Sequence, residues 1–344
     1  MSKITRVGLD TAKSIFHVIG INGHNKEVVK KVLKRQQVLP YFNQLPNCTV
    51  VMEACSGSHY WARLFEGYGH QVILIPAQHA KAYRQGQKND YNDARGIIQA
   101  SLRPNIHGVR IQTVADQDLQ ALSRLRSQAV KGRSNLARSL RGLLTERGIV
   151  LKTGISTLRA SIPGLLEDAD NGLTVAFREL LRREYDRLLG LDEAVKGYDD
   201  LVTQTVNADT GCRRLLQIPG YGPVVALQFR SKMGNGDHLR RGRDAAVLVG
   251  LTPRHHGTGG KNRTGSITKY GDSQLRSALA HGARAVVSRA KGKSDPVSQW
   301  IVQMEARVGR NKTTIALANK MARVGWSILS YGSDYDPKRM CAAK

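Results

Sequence analysis

The 344-residue chain carries 53 Lys and Arg against 27 Asp and Glu, a formal charge of +26. That excess goes far beyond solubility and points to an extended polyanion as partner. No apolar run approaches the roughly 18 residues of a membrane span, and no lipidation signal is present, so a membrane partner is not expected.

The N-terminus, MSKITRVGLD, enters a strand pattern directly with no signal peptide, which predicts a cytoplasmic protein. Cys48, Cys55, Cys212 and Cys341 have neither C-x-x-C spacing nor paired histidines, so they read as free thiols in a reducing compartment. Aromatic residues make up 6%, which limits base-stacking platforms and leaves phosphate contacts to dominate binding.

Residues 4–10, ITRVGLD, read as a strand ending in an acid. SIFHVIGING (14–23) alternates with the strand period, and KEVVKKVLK (26–34) follows a turn at Gly23–Asn25. A short helix is predicted around 36–45. CTVVMEA (48–54) is a compact strand that also ends in an acid, GSHYWARLFEGYG (57–69) has helical spacing, and QVILIPA (71–77) is a fifth strand. A basic loop then leads to a helix over 91–102.

Three strands, helix, strand, helix, strand, helix is the element order of the ribonuclease H fold. That fold calls for acids at the end of the first strand, at the end of the fourth and at the start of the last helix. Asp10, Glu53, and Asp90 with Asp93 stand at those places. Asp90 and Asp93 lie one helical turn apart among Arg84, Lys88 and Arg95; Asn89 or Asp90 would cap a helix there, and acids suit a first turn. Four gathered carboxylates need a counter-charge. Hard divalent cations with oxygen ligands supply it, and two Mg²⁺ about 3.5–4 Å apart can serve both the attacking and leaving oxygens of phosphoryl transfer. Asp10 would bridge them, with Glu53, Asp90 and Asp93 completing the shell.

From 113 to 207 the chain reads as helical and highly charged. One helix spans 118–148 and another 173–206, with TGISTLRASIPG (153–164) as a loop between them. Leu181, Tyr185, Leu188, Val195 and Val202 are spaced like the a and d positions of a coiled coil. An intramolecular hairpin and self-association both account for that stripe.

The segment from 208 to 344 opens with RRLLQIPGYGPVVALQFRS (213–231), in which two helices flank a turn like a helix–hairpin–helix. Gly220 and Gly222 would let backbone N–H groups approach a phosphate. GLTPRHHGTGGKNRTGSITKYGD (250–272) reads as a basic, Gly-rich loop of about twenty residues, long enough to be functional. It contains Thr258, Thr264 and Ser266, and a helix begins near Ser273, its expected cap. His255 and His256 are adjacent without a third ligand and read as solvent or phosphate contacts. The three expected parts are thus 1–112, 113–207 and 208–344: an α/β domain, a helical segment and a mainly helical C-terminal domain.

Chemistry alone leaves open nuclease, resolvase or transposase. GLDTAK (8–13), MEACSGSHYW (52–61), NDYNDAR (89–95), QIPGYGPVVA (217–226), GLTPRHHGTGGK (250–261) and LRSALAHGARAVV (275–287), with the ending NKMARVGWSILSYGSDYDP (319–337), resemble in order the transposases of the insertion-sequence 110 family. The Gly-Gly-Lys segment leans towards its 1111 subgroup. These are DEDD-type recombinases related to a pilin-gene invertase.

The resemblance implies a RuvC-like ribonuclease H domain joined through a coiled coil to a transposase domain that carries a hydroxyl nucleophile. It implies a dimer of dimers with active sites composed across subunits. It also implies a structured noncoding bridge RNA that pairs with donor and target DNA, and exchange through a covalent protein–phosphate linkage. Asp10, Glu53, Asp90 and Asp93 match the metal-binding tetrad. The nucleophile, usually serine, falls on Thr258, flanked by Gly257 and Gly259, with Ser266 as the alternative; Lys261 and Arg263 stand where they can bind the backbone. A RuvC-type junction-resolving nuclease would need the acids but not the hydroxyl segment. A non-catalytic nucleic-acid-binding protein would need neither.

Overall fold

The structure, a computed structural model, describes residues 3–87 and 89–342, without the side chains of Arg339, Cys341 and Ala342. Lys88 and the Cys341 thiol, both singled out above, lie outside what is described. Cys48, Cys55 and Cys212 are free. No described helix is long and apolar enough to cross a membrane. The chain divides into two compact units, one ending at Val114 and one beginning at Ala115.

The first unit is built on β1 (Ile4–Asp10), β2 (Ile15–Asn22), β3 (Glu27–Lys34), α1 (Arg35–Gln44), β4 (Thr49–Glu53), α2 (Ser58–Gly67), β5 (Gln71–Ile75), α3 (Ala77–Tyr83) and α4 (Asp90–Ser101). Its sheet runs in the order β3-β2-β1-β4-β5. The first three strands are antiparallel neighbours, and β1, β4 and β5 are parallel. This mixed α/β unit has the expected element order with one addition: the basic stretch after β5 begins with α3 rather than continuing as loop. Ala80 of that helix is buried with Ile75 and Ile97, and this apolar contact outweighs the polar character of the segment.

One face of the sheet carries Phe16, Val18 and Leu33 and packs on α1 and α2 through Phe42, Trp61 and Phe65. Phe16 meets Trp61 edge-on at 5.2 Å, and Phe42 lies 4.3 Å from Phe65. The other face receives α4, whose Ala94 and Ile98 bury against Ile19 and Ile21.

The second unit opens with α5 (Val114–Thr145), α6 (Ile155–Glu167) and α7 (Val175–Ala208). The segment 153–164, expected as a loop, lies mostly in α6 and includes Pro163. A proline in a helix interior costs about 3 kcal/mol. Leu158 and Ile162, both fully buried in a cluster with Ala137, Leu140 and Leu144 of α5 and Phe177, Leu181 and Leu188 of α7, offset that penalty. The stripe on α7 is therefore covered by the chain's own helices. Arg126 pairs with Asp199 at 2.5 Å and Arg133 with Asp192 at 3.0 Å, one heptad forward on α5 and one back on α7, so the two run antiparallel.

Then follow α8 (Thr210–Leu216), α9 (Pro223–Met233), α10 (Gly242–Val249), β6 (Pro253–Thr258), β7 (Lys261–Ile267), α11 (Ser273–Val287), α12 (Pro296–Val308), α13 (Arg310–Tyr331) and α14 (Pro337–Ala342). Phe229, Leu275, Leu279, Leu317 and Met321 centre their core, and Val202 and Val206 of α7 join it. The expected Gly-rich loop is instead a β-hairpin, and the cap of α11 is Asp272, which accepts from the N–H groups of Gln274 and Leu275, not Ser273.

Two substitutions separate these packing roles. Leu188→Ala, at a fully buried site, is expected to cost about 2–5 kcal/mol. Leu180→Ala, on the same helix but 60% exposed, should stay within about 0.5 kcal/mol of wild type in urea unfolding. Equal losses would place the inner face of α7 elsewhere.

Candidate active site

Because β1 and β4 are parallel neighbours, with Leu9 opposite Met52, they deliver Asp10 and Glu53 to the same end of the sheet. α4 brings the other two acids. Its cap is Asn89, whose side-chain oxygen accepts from the Asn92 N–H at 2.8 Å, and Asp90 and Asp93 fall in its first turn. Carboxylates there meet the positive end of the helix dipole.

Gly8 sets how close α4 can come. A Cβ at this position would lie 2.5 Å from the Ala94 carbonyl oxygen and 2.6 Å from Ile98 Cγ1. Only a glycine lets the helix backbone rest on β1.

The sequence reading missed one member of the cluster. His17 on β2 is the direct cross-strand partner of Asp10. Its Nδ1 lies 3.3 Å from Asp90 Oδ2, and its ring meets Tyr91 edge-on at 4.8 Å. One ligand atom each from Asp10, His17 and Asp90 lie within 4.8 Å of one another. The signal was available: a tight β1–β2 hairpin carries His17 to the level of Asp10.

Asp93 turns to Arg84, whose Nη1 donates to Oδ1 at 3.1 Å. Arg95 is occupied with Glu27 at 2.5 and 3.0 Å. Of the three basic residues expected around the aspartates, Arg84 thus supplies the ion pair, Arg95 contacts Asn92 and Glu27 instead, and Lys88 is not described.

The Asp10 carboxyl is pushed up to about 6. Burial is the largest cause, followed by the negative charges of Asp90 and Asp93; His17 opposes the shift and Glu53 adds to it. Asp10 therefore feels the other three acids, although among the described residues only Asp10 and Asp90 converge with His17 at ligand distance. A divalent cation fits this arrangement, because it would relieve the repulsion that raises Asp10. A set of carboxylates plus one imidazole also admits ions softer than Mg²⁺.

In the second unit, β6 and β7 pair antiparallel around Gly259 and Gly260, whose φ values of +55° and +76° suit a turn that needs both central residues left-handed. Thr258 pairs with Lys261 and His256 with Arg263. Directly opposed residues share a face, so Thr258, Lys261, His256 and Arg263 stand together. Thr264 pairs with His255, one residue out of phase, and a bulge between this pair and Pro253–Ile267 interrupts the alternation of β7 before it reaches Ser266. Every residue from Pro253 to Ser266 outside the turn is exposed, as are Gly259 and Gly260.

Gly220 and Gly222 part company. Gly220 (φ +92°) packs against α11, where a Cβ would lie 2.9 Å from the Gly282 carbonyl oxygen. Tyr221 next to it is buried and donates to the Met321 carbonyl at 3.1 Å. Gly222 is exposed with open space around it, at the N-terminus of α9. A phosphate approach is thus open at Gly222, whereas Gly220 serves interior packing.

Residues 7–148 match a family model for IS110 DEDD transposases, and residues 212–298 match that of the IS116/IS110/IS902 transposase family. A probable family 20 transposase of Pseudomonas aeruginosa is 38% identical over 335 residues, 97% of this chain and 99% of its own length. This chain belongs to the IS110 family of transposases. The transposase for insertion sequence element IS1111A of Coxiella burnetii is 36% identical over 97% of this chain and 92% of its own length. A pilin gene-inverting protein of Moraxella bovis is 24% identical over 43% of this chain. An IS110-family transposase acts on DNA, and the DEDD domain points to divalent-metal use.

The acid cluster has a measurable cost. Unfolded, Asp10 titrates near 3.8; folded, near 6. The folded protein holds this proton more tightly, so the contribution to stability is full below pH 3.8 and lost as pH rises through about 6. In EDTA, Asp10→Asn should therefore raise the melting temperature at pH 7 and have much less effect at pH 4. Adding a divalent cation at pH 7 should raise wild type and leave the variant nearly unmoved. A wild-type melting temperature indifferent to both would remove the case for a strained acidic site.

Proposed function

We propose that this transposase moves its own insertion sequence as a bridge-RNA-guided DNA recombinase that exchanges strands through a covalent linkage to Thr258. The observation that carries the reading is the cluster of Asp10 and Asp90 with His17, in which burial, and after it the charges of Asp90 and Asp93, hold Asp10 near 6. Such a cluster is costly in a protein that needs no cation there.

Asp10, Glu53, Asp90 and Asp93 would hold the metal, which we take to be Mg²⁺. When bound it would supply Lewis acidity and charge neutralisation at the reacting phosphate. His17 orients the Asp90 carboxylate through its Nδ1 contact, and Arg84 fixes Asp93. On the hairpin, the Thr258 hydroxyl forms a bond to phosphorus, its proton passes to solvent, and the departing strand leaves with a new hydroxyl end. Attack by the hydroxyl of the exchanged strand reverses the linkage and frees Thr258. Lys261 and Arg263 share its face and hold the phosphate backbone. Thr258 stands directly opposite Lys261 beside the turn, whereas Ser266 lies at the bulge near the other end of the hairpin, which favours Thr258.

Gly222 and the N-terminus of α9, in a turn flanked by two helices, give a helix–hairpin–helix-like backbone contact. The charge of +26 suits a protein that holds two DNA partners and an RNA at once. Assembly as a dimer of dimers would use outward positions such as Leu180 and Leu201, 60% and 49% exposed, because the inner stripe of α7 is already covered.

The test mixes protein, the RNA from the element's flank and labelled donor and target DNA with Mg²⁺, then resolves adducts on a denaturing gel. Thr258→Ala and Asp90→Ala should abolish the adduct, and Ser266→Ala should keep it. Loss in Ser266→Ala alone would move the nucleophile. Metal-dependent nicks with no adduct in any variant would replace the recombinase with a junction-resolving nuclease.

A further inference from the structure

The sheet of the first unit leaves part of one face uncovered beside the acids, and its composition is unusual for an outward surface. Ile15 on β2 pairs with Lys34 on β3, His17 with Val32, and Ile19 with Lys30. Directly paired residues share a face, and so do residues two apart along a strand. All six therefore lie on the face that carries Asp10, the partner of His17 on β1.

α4 covers only part of that face. It buries Ile19 and Ile21, and its Tyr91 reaches His17 and lies 4.4 Å beneath the Lys30 ammonium. Ile15 and Val32 are each 49% exposed, and Lys30 and Lys34 are exposed with them. The other face is the aromatic core. An antiparallel sheet with one solvated face ordinarily turns polar residues outward. Here two β-branched residues are presented instead, bracketed by lysines and continuous with the acid cluster.

We infer that this strip is the track on which a DNA strand lies as it enters the acidic site, an inference that rests on that site processing DNA. Ile15 and Val32 contact sugar and base surface, while Lys30 and Lys34 pair with phosphates on either side. The strip carries no carboxylate among these six residues, whereas the cluster at its end is acidic. A polyanion is thus held by the lysines and guided to the acids rather than repelled along its whole length. The Tyr91 ring keeps Lys30 in place through its face.

Neighbouring positions on β3 supply the control. Lys31 is also exposed, but it points to the opposite face and lies over Tyr41 of α1 at 5.1 Å. A photoreactive benzoylphenylalanine is placed at position 32 or at position 31 of the full chain, in an Asp90→Ala background that blocks strand chemistry. Each protein is irradiated with a labelled DNA duplex bearing a single-stranded arm, at physiological salt.

DNA should crosslink from position 32 at least about tenfold more than from position 31, and Lys34→Ala should reduce the slope of binding against log salt by about 1. Equal yields at 31 and 32, or crosslinking from neither, would overturn the track. Crosslinking of added RNA in place of DNA would overturn it as well. Because no strand is cut in this background, the outcome is independent of whether Thr258 forms an adduct.

Discussion

The distance between α4 and β1 governs the acidic site. Two of its four carboxylates ride on the first turn of that helix, and the other two end strands of the sheet beneath it. With Gly8 in β1, the Ala94 carbonyl occupies space that any side chain would fill. Gly96 repeats the device on the other side of α4, where a Cβ would lie 3.0 Å from the Arg84 backbone. That second approach draws the segment after α3 close to the helix, and with it the guanidinium that holds Asp93. Two glycines thus position both the acids and the arginine that tempers them.

Electrostatics then separates the protein into surfaces of opposite task. Most of the chain is strongly basic, which suits phosphate contact over a large area. The acids concentrate where a cation can bind, and Asp10 is raised there by burial first and by the charges of Asp90 and Asp93 next. In the helical hairpin, acids act differently: Asp192 accepts from both Arg133 and Arg159, joining α5, α6 and α7. The same residue type ties helices together in one unit and gathers beside His17 at one end of the sheet in the other.

Much of this was legible in the chain. Strand and helix patterning in the first unit gives most of the elements to within a residue or two, because β2 alternates and β4 and β5 are short apolar runs bounded by polar or turn residues. Asn89 before two first-turn acids announces the cap of α4. The misreadings share a cause, which is composition outweighed by packing. Pro163 and Gly164 look like loop, yet Leu158 and Ile162 bury deeply enough to keep α6 helical. The Gly-Gly pair looks flexible, yet two left-handed residues in succession make a tight hairpin turn and so set Thr258 opposite Lys261.

The chain by itself determined the identities and the local geometry: which residues are acids, which helix caps them, and how much positive charge surrounds them. These follow from neighbours in sequence, where spacing and side-chain chemistry suffice. Only the tertiary structure decided which groups meet. His17 joins the acids because strand register sets it opposite Asp10, Gly220 packs on α11 because Gly282 leaves room for it, and the α7 stripe is covered by the chain's own helices. Each is a contact between segments distant in the chain, fixed by shape and burial that no local pattern encodes.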